Sequence, residues 1–170
     1  METNRSMKVL FLSDRNCGRS LMAEAILGAV GTGRFQAYSA GITPGANPHP
    51  MAIDLLDRNR LPVDRLRPKE WQRFVAPGLL ELDFVISVCE QDPASLAASW
   101  PGNPLLVHWS MPDPEADAGG EAELRRAMFT AYNRLYHRLM ILVSLPLDKY
   151  DRVQIKQRLD EIGGRESVAA

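Results

Sequence analysis

Cysteine is nearly missing from this sequence, with Cys17 and Cys89 as the two examples in 170 residues. Their spacing fits no zinc-ligand pattern and cannot build a disulfide framework, so a reducing compartment, the cytoplasm by default, is the expected location. No metal site and no cofactor is expected. An excess of one charge sign is missing too, because 20 basic residues face 21 acidic ones for a formal charge of -1. That balance excludes the pervasive positive field of a general nucleic-acid binder, and any anion must be held locally. Long apolar runs are absent as well. Leu139 to Val143, followed by Ser144-Leu145-Pro146-Leu147, falls far short of the roughly 20 residues that cross a bilayer. No membrane partner is expected, and Met1 to Met7, polar and followed by Lys8, does not resemble a signal peptide. There is no repeat, linker or low-complexity segment. The length fits one domain, which at this size buries roughly 70% of its unfolded surface. The expected division is a flexible extension over 1–6, a domain over 7–163 and a flexible tail over 164–170, as a monomer or weak dimer.

What is present is an alternation of apolar strands and amphipathic helices. Val9-Leu10-Phe11-Leu12 reads as a buried strand feeding a helix over Ser20 to Val30, where Leu21, Ala25 and Ala29 recur at four-residue spacing. Phe35 to Ala40 is a second strand, closed by Gly41 and the turn-rich stretch Thr43 to Pro48, and a helix follows over Pro50 to Asn59. Asp83 to Val88 and Leu105 to Trp109 read as the third and fourth strands. Glu121 to Leu145 is the clearest helix, with Leu124, Met128, Ala131, Leu135, Leu139 and Leu142 on one stripe. Asp151 to Ile162 is the last, ended by Gly163-Gly164. This order predicts a three-layer α/β domain, a four-stranded parallel sheet with helices on both faces. Ligands of such sheets sit beyond the carboxyl ends of the strands.

The loop Ser13-Asp14-Arg15-Asn16-Cys17-Gly18-Arg19-Ser20 lies at such a place. Successive backbone N–H groups there can point at one anion, helped by the helix dipole, and Arg19 can clamp two oxygens of a phosphate through its planar fork. A plain solvated connection carrying an arginine is the competing reading.

The wording of the chain bears on that choice. Val9-Leu10-Phe11-Leu12, Asn16-Cys17-Gly18-Arg19-Ser20 and Met22-Ala23-Glu24 resemble the opening of the low-molecular-weight protein tyrosine phosphatases. The resemblance continues through Tyr38-Ser39-Ala40-Gly41, His49-Pro50-Met51-Ala52, Phe84 to Cys89, Trp100-Pro101-Gly102 and His108-Trp109 leading to Pro112-Asp113-Pro114. These later pieces, with Ser144 to Leu147 and Arg158 to Gly163, look most like the thioredoxin-coupled arsenate reductase branch. The likeness spans about residues 7 to 163 and implies a flavodoxin-like fold. It also implies a site in which a cysteine thiolate attacks phosphorus or arsenic and loop amides with Arg19 hold the oxygens. Asp113 then protonates the leaving group. Asn16 would brace the loop and Ser20 would support the nucleophile. The implied ligand is phosphate or another tetrahedral oxyanion, including that of a phosphorylated protein.

The chain departs from this pattern where it matters most. Ser13 stands six residues before Arg19, where the family keeps its cysteine. A hydroxyl stays protonated near neutrality and needs an adjacent base to attack. Cys17 stands two residues before Arg19, where side chains usually point away from the anion. Arg15 replaces the family glycine, and a left-handed backbone there would cost an ordinary residue about 1–2 kcal/mol. Gly18 instead suggests a reshaped loop. Asp14 would repel an anion unless paired with Arg15 or Arg19. Cys89 matches the first relay cysteine of the reductase branch, but the second is absent around Leu96 and Ala97, which leaves arsenate reduction the weakest activity. On its own Cys89 reads as a small core residue.

Other residues have ordinary readings. A Ser13-His108-Asp113 hydrolase arrangement lacks the glycines of a nucleophile elbow, and His108 reads as a packed strand end. His49 belongs to a helix-entry turn and His137 to a helix face. Trp71, Trp100 and Trp109 could rim a pocket, but large aromatics mostly fill core edges. The basic run from Arg58 to Lys69 reads as a solvated face, with docking of an acidic partner protein as the alternative. Three functions follow: a degenerate phosphatase that binds oxyanions and turns them over slowly or not at all, an active phosphatase with a substitute nucleophile, or a non-enzymatic interaction protein.

Overall fold

Strand alternation decides which side chains line each face. In the computed structural model, which describes residues 5–76, 78, 80–90, 92–93, 100–116 and 119–164, the elements run β1 (Met7–Ser13), α1 (Arg19–Val30), β2 (Phe35–Gly41), α2 (Pro50–Arg58), β3 (Phe84–Ser87), β4 (Leu105–His108), α3 (Glu121–Ser144) and α4 (Arg152–Gly164). The four strands form one parallel sheet in the order β2-β1-β3-β4. The connections run one way from β1 to β2 and the other way to β3, so the switch point lies at the carboxyl ends of β1 and β3. The register sets Ser13 beside Gly41, Leu12 beside Ser87 and Ser87 beside His108, which brings the strand ends level.

Val9, Phe11, Phe84, Ile86, Leu105 and Val107 are buried in one cluster with Ile26 and Leu27 of α1 and Leu135 and Leu139 of α3. Leu10, Leu12 and Val85 face the opposite way, against Trp100 and against Trp71 and Phe74 of a short 3-10 helix, Trp71–Phe74. All four α-helices contribute to the first cluster and the 3-10 helix to the second, and burial of about 1.5–3 kcal/mol per large side chain holds them there. The stripe read from α3 is the buried one, with Met128, Ala131, Leu135, Leu139 and Leu142 inside. Arg138 is buried with them, donating to Ser110 O at 3.4 Å and Gly163 O at 3.2 Å. Cations suit the carboxyl end of a helix such as α4.

The helix α4 includes both Gly163 and Gly164, two residues more than the sequence pattern assigns to it. Gly163 is required by packing: a Cβ there would collide with the indole ring of Trp109. That ring is fully buried and donates from Nε1 to Leu159 O at 2.9 Å. Among the described residues, no helix is long and apolar enough to cross a membrane.

Candidate active site

Between the end of β1 and the start of α1 the carbonyls of the loop turn outward. Ser13 O, Asp14 O and Arg15 O accept from the N–H groups of Ile42, Thr43 and Gly45 at 3.1, 2.7 and 2.9 Å, and Cys17 O accepts from His49 at 2.8 Å. In a trans peptide the next residue's N–H points opposite to the carbonyl. The amides of Asp14, Arg15, Asn16 and Gly18 therefore face the other side of the loop. That of Asn16 donates to Ser13 Oγ at 3.1 Å, while the other three find no acceptor among the described residues. Gly18, the N-cap of α1, offers no capping side chain, and no acidic residue occupies the first turn. The unpaired amides of that turn belong to the same end of the helix.

Close backbone approach makes this possible. A Cβ at Gly41 would lie 3.0 Å from Asn16 Cβ, and one at Gly45 would collide with Cys17 Sγ. The left-handed residue of the loop is Asn16, with φ 54°, and Arg15 is not in that region. The strain expected at Arg15 is thus absent, because the backbone reversal has moved to a residue type that tolerates it. Gly18 has φ -134°, and an added Cβ would make only ordinary contact with Met128 at 3.6 Å.

Asn16 also fastens the loop through its side chain. Its Nδ2 donates to Ser20 Oγ at 2.7 Å and its Oδ1 accepts from Lys69 N at 2.9 Å. Ser20 Oγ in turn shares a 2.6 Å hydrogen bond with Ser13 Oγ. Arg19 is buried behind the loop, with Nη1 donating to Met111 O at 2.9 Å and Val88 O at 3.3 Å. Its Nη2 lies 3.5 Å from Asp14 Oδ2, so Asp14 pairs with Arg19.

Asp113 reaches the same place from the turn after β4, where its Oδ1 accepts from Glu115 N at 3.0 Å. A cavity of about 20 Å³ remains between loop and turn, lined by Ser13, Arg19, His49, Asp113 and Glu115 among others. That is room for about one water. The sequence reading did not single out Glu115 or its role with His49. The Glu115 carboxylate lies 3.6 Å from Arg15 Nη1 and 3.3 Å from His49 Nε2, while His49 Nδ1 accepts from Met51 N and caps α2. Glu115 follows the Asp113-Pro114 pair directly, which was the one available signal.

The two thiols are set against ionisation. Cys17 Sγ donates to Arg15 O at 3.3 Å, and burial pushes its thiol up from the ordinary value despite the nearby Gly45 amide and Arg15. Cys89 is buried with its Sγ toward Leu12 O, and burial pushes it up to about 11. Leu96 and Ala97 lie outside the described residues. The hydrolase arrangement is not assembled, because His108 Nδ1 bonds Ser87 Oγ at 2.7 Å while Ser13 bonds Ser20. Trp71 and Trp100 pack together on the far face of the sheet, their centroids 5.8 Å apart, Trp109 is buried in the core, and none of them lines the cavity beneath the loop, although Trp100 borders a separate cavity of about 370 Å³ with Ser87 and His108.

The basic run is not exposed throughout. Arg58 is exposed and pairs with Asp54, but Lys69 is tucked in with Nζ 3.8 Å from Glu24 Oε1, both side chains 16% exposed. Burial raises the Glu24 carboxyl and lowers the Lys69 ammonium from their ordinary values. Among the described residues no group of His, Cys, Asp and Glu side chains could hold a metal ion.

The family model described as low molecular weight phosphotyrosine protein phosphatase matches residues 8–140. The glutaredoxin arsenate reductase of Synechocystis sp. is 27% identical over 111 residues, 65% of this chain and 81% of its own length. An arsenate reductase solved in a phosphate binding state superposes with a TM-score of 0.66 at 26% identity, over 81% of this chain and 97% of that one. Wzb of Vibrio vulnificus, solved with benzylphosphonate, superposes at 0.62 with 17% identity over 82% of this chain and 98% of its own, a likeness of fold alone.

Proposed function

This chain belongs to the low molecular weight phosphotyrosine protein phosphatase family, and from that premise we propose that it binds tetrahedral oxyanions or phosphoryl groups in the 13–20 loop, with turnover slow or absent. The observation that carries the reading is the loop itself: carbonyls tied outward, amides of Asp14, Arg15 and Gly18 left inward, and Arg19 fixed behind them. In this reading the amides and Arg19 hold the oxygens, Asn16 and Ser20 brace residue 13, and Asp113 is the proton donor to a leaving oxygen. Ser13 is the weak member. Its hydroxyl bonds another hydroxyl and a backbone amide, and no imidazole or carboxylate among the described residues accepts its proton. Cys17 does not replace it, because its thiol is pushed toward the protonated form. Arsenate reduction is not proposed, since Ser13 removes the first thiol.

Assaying aryl phosphate hydrolysis by the wild type and by Ser13→Cys tests the reading. The wild type is expected to be nearly silent and the variant to gain roughly a hundredfold or more. Wild-type turnover equal to that of intact relatives, with Ser13 confirmed by mass spectrometry, would sink it. The rival reading, an interaction protein whose loop binds nothing, draws on the small volume left beneath Asp113 and Glu115. An NMR titration with inorganic phosphate separates the two: shifts confined to the loop amides favour the cradle, and none favours the rival.

A further inference from the structure

Both guanidinium groups of the loop already have a carboxylate partner. Arg19 lies 3.5 Å from Asp14, and Arg15 lies 3.6 Å from Glu115, whose other oxygen faces His49 at 3.3 Å. Asp113, a third carboxylate, lines the same small cavity. Each of the two guanidinium cations is thus paired with a carboxylate, and with Asp113 as a further carboxylate on the lining, two positive charges stand among three negative ones, so these fixed charges no longer sum to a positive one. What remains to attract an anion is the set of inward amides, the N-terminal end of α1 and the N–H donors of an Arg19 whose charge Asp14 offsets. Those are hydrogen-bond donors and a partial charge, which suit a tetrahedral oxygen shell without compensating a full second negative charge.

We propose that Asp14 and Glu115 are specificity-determining residues that make this cradle select singly charged tetrahedral oxyanions over doubly charged ones. The inference rests on the anion-binding reading above and adds the charge state of the ligand. A carboxylate within reach of the cavity repels a dianion twice as strongly as a monoanion of the same shape. At a separation of about 6 Å in a water-like dielectric, one such charge shifts the affinity for a monoanion by about threefold and that for a dianion by about tenfold. The side chains of Asp14 and Glu115 are 59% and 36% exposed. Screening by salt therefore matters, and the effect is largest at low ionic strength.

The probes are perchlorate and sulfate, tetrahedral ions whose charges do not change near neutrality. Loop amide shifts of Asp14, Arg15 and Gly18 are followed by NMR at pH 7.5 and constant low ionic strength. The proteins are the wild type, Asp14→Asn, Glu115→Gln and, as a control for net charge, Asp148→Asn. Asp148 lines a different cavity, with Arg5 and Met7 at the opening end of β1. The expected result is that each of the first two variants tightens sulfate by about tenfold and perchlorate by about threefold, with the control unchanged. Comparing ratios between variant and wild type cancels the intrinsic difference between the two ions. Equal tightening of both ions, no tightening, or the same gain in Asp148→Asn overturns charge selection while leaving the cradle in place. Loop amides that respond to neither ion in any of the four proteins overturn the cradle itself, and charge selection with it.

Discussion

At the scale of single residues, Asn16 combines three duties that no other side chain in the loop could share. It adopts φ 54°, donates to Ser20, which bonds Ser13, and accepts from the Lys69 amide, joining the start of α1 to a segment far along the chain. Replacing it with alanine removes both side-chain bonds and places an ordinary Cβ in the left-handed region, at a combined cost of about 2–4 kcal/mol. Asn16→Gly loses the same bonds without the backbone cost, so it is expected to be about 1 kcal/mol more stable than Asn16→Ala. Urea denaturation of the two variants checks this, and equal midpoints would contradict the left-handed assignment. That Ser13, Arg19 and Ser20 share one strand-to-helix loop was legible in the chain, from an apolar strand ending at Ser13 and a helix beginning by Ser20. The reversal at Asn16 was not, since arginine at position 15 pointed to the wrong residue.

At the scale of elements, Glu24 on α1 and Lys69 hold the segment before Trp71 against the end of β2, where Gly41 N donates to Lys69 O at 2.7 Å. The opposed shifts of the two groups both have burial as their largest cause, so desolvation outweighs their mutual attraction at 3.8 Å. The pair consequently orders the loop support more than it stabilises the fold. Lys69→Met is expected to cost about 1–3 kcal/mol because it strands a half-buried carboxylate, and adding Glu24→Leu is expected to recover most of that loss. A double-mutant cycle by chemical denaturation measures the coupling, and strictly additive effects would show that the two side chains do not interact. The sequence placed Lys69 in a run of exposed basic residues, and only the fold of that segment onto α1 turned its ammonium inward.

At the scale of the whole molecule, the buried thiol of Cys89 couples stability to alkaline pH. Its folded value, pushed up to about 11 from an ordinary 9.0, means that the folded state holds the proton more tightly than the unfolded chain. Its contribution is complete below about pH 9 and is lost as pH rises toward about 11. The Tyr38 and Tyr132 hydroxyls, also raised by burial, act in the same direction, whereas Lys69 and Arg138, lowered by burial, act against it. The difference between wild type and Cys89→Ala isolates the thiol. The variant is expected to lose less stability between pH 9 and pH 11, read from urea midpoints at each pH. Parallel curves would show that Cys89 ionises as freely in the fold as in the unfolded chain.

The order and type of the elements were determined by the sequence alone, because apolar periods of two and of three to four are local properties that each segment carries by itself. So was the distance in the chain between Ser13 and Arg19. Tertiary structure decided which carboxylate meets which cation: Asp14 with Arg19, Glu115 with Arg15 and His49, Glu24 with Lys69. Except for Asp14 and Arg19, these partners lie far apart along the chain. They meet because the strand order β2-β1-β3-β4 brings the strand ends together at one edge, and no local pattern encodes that order.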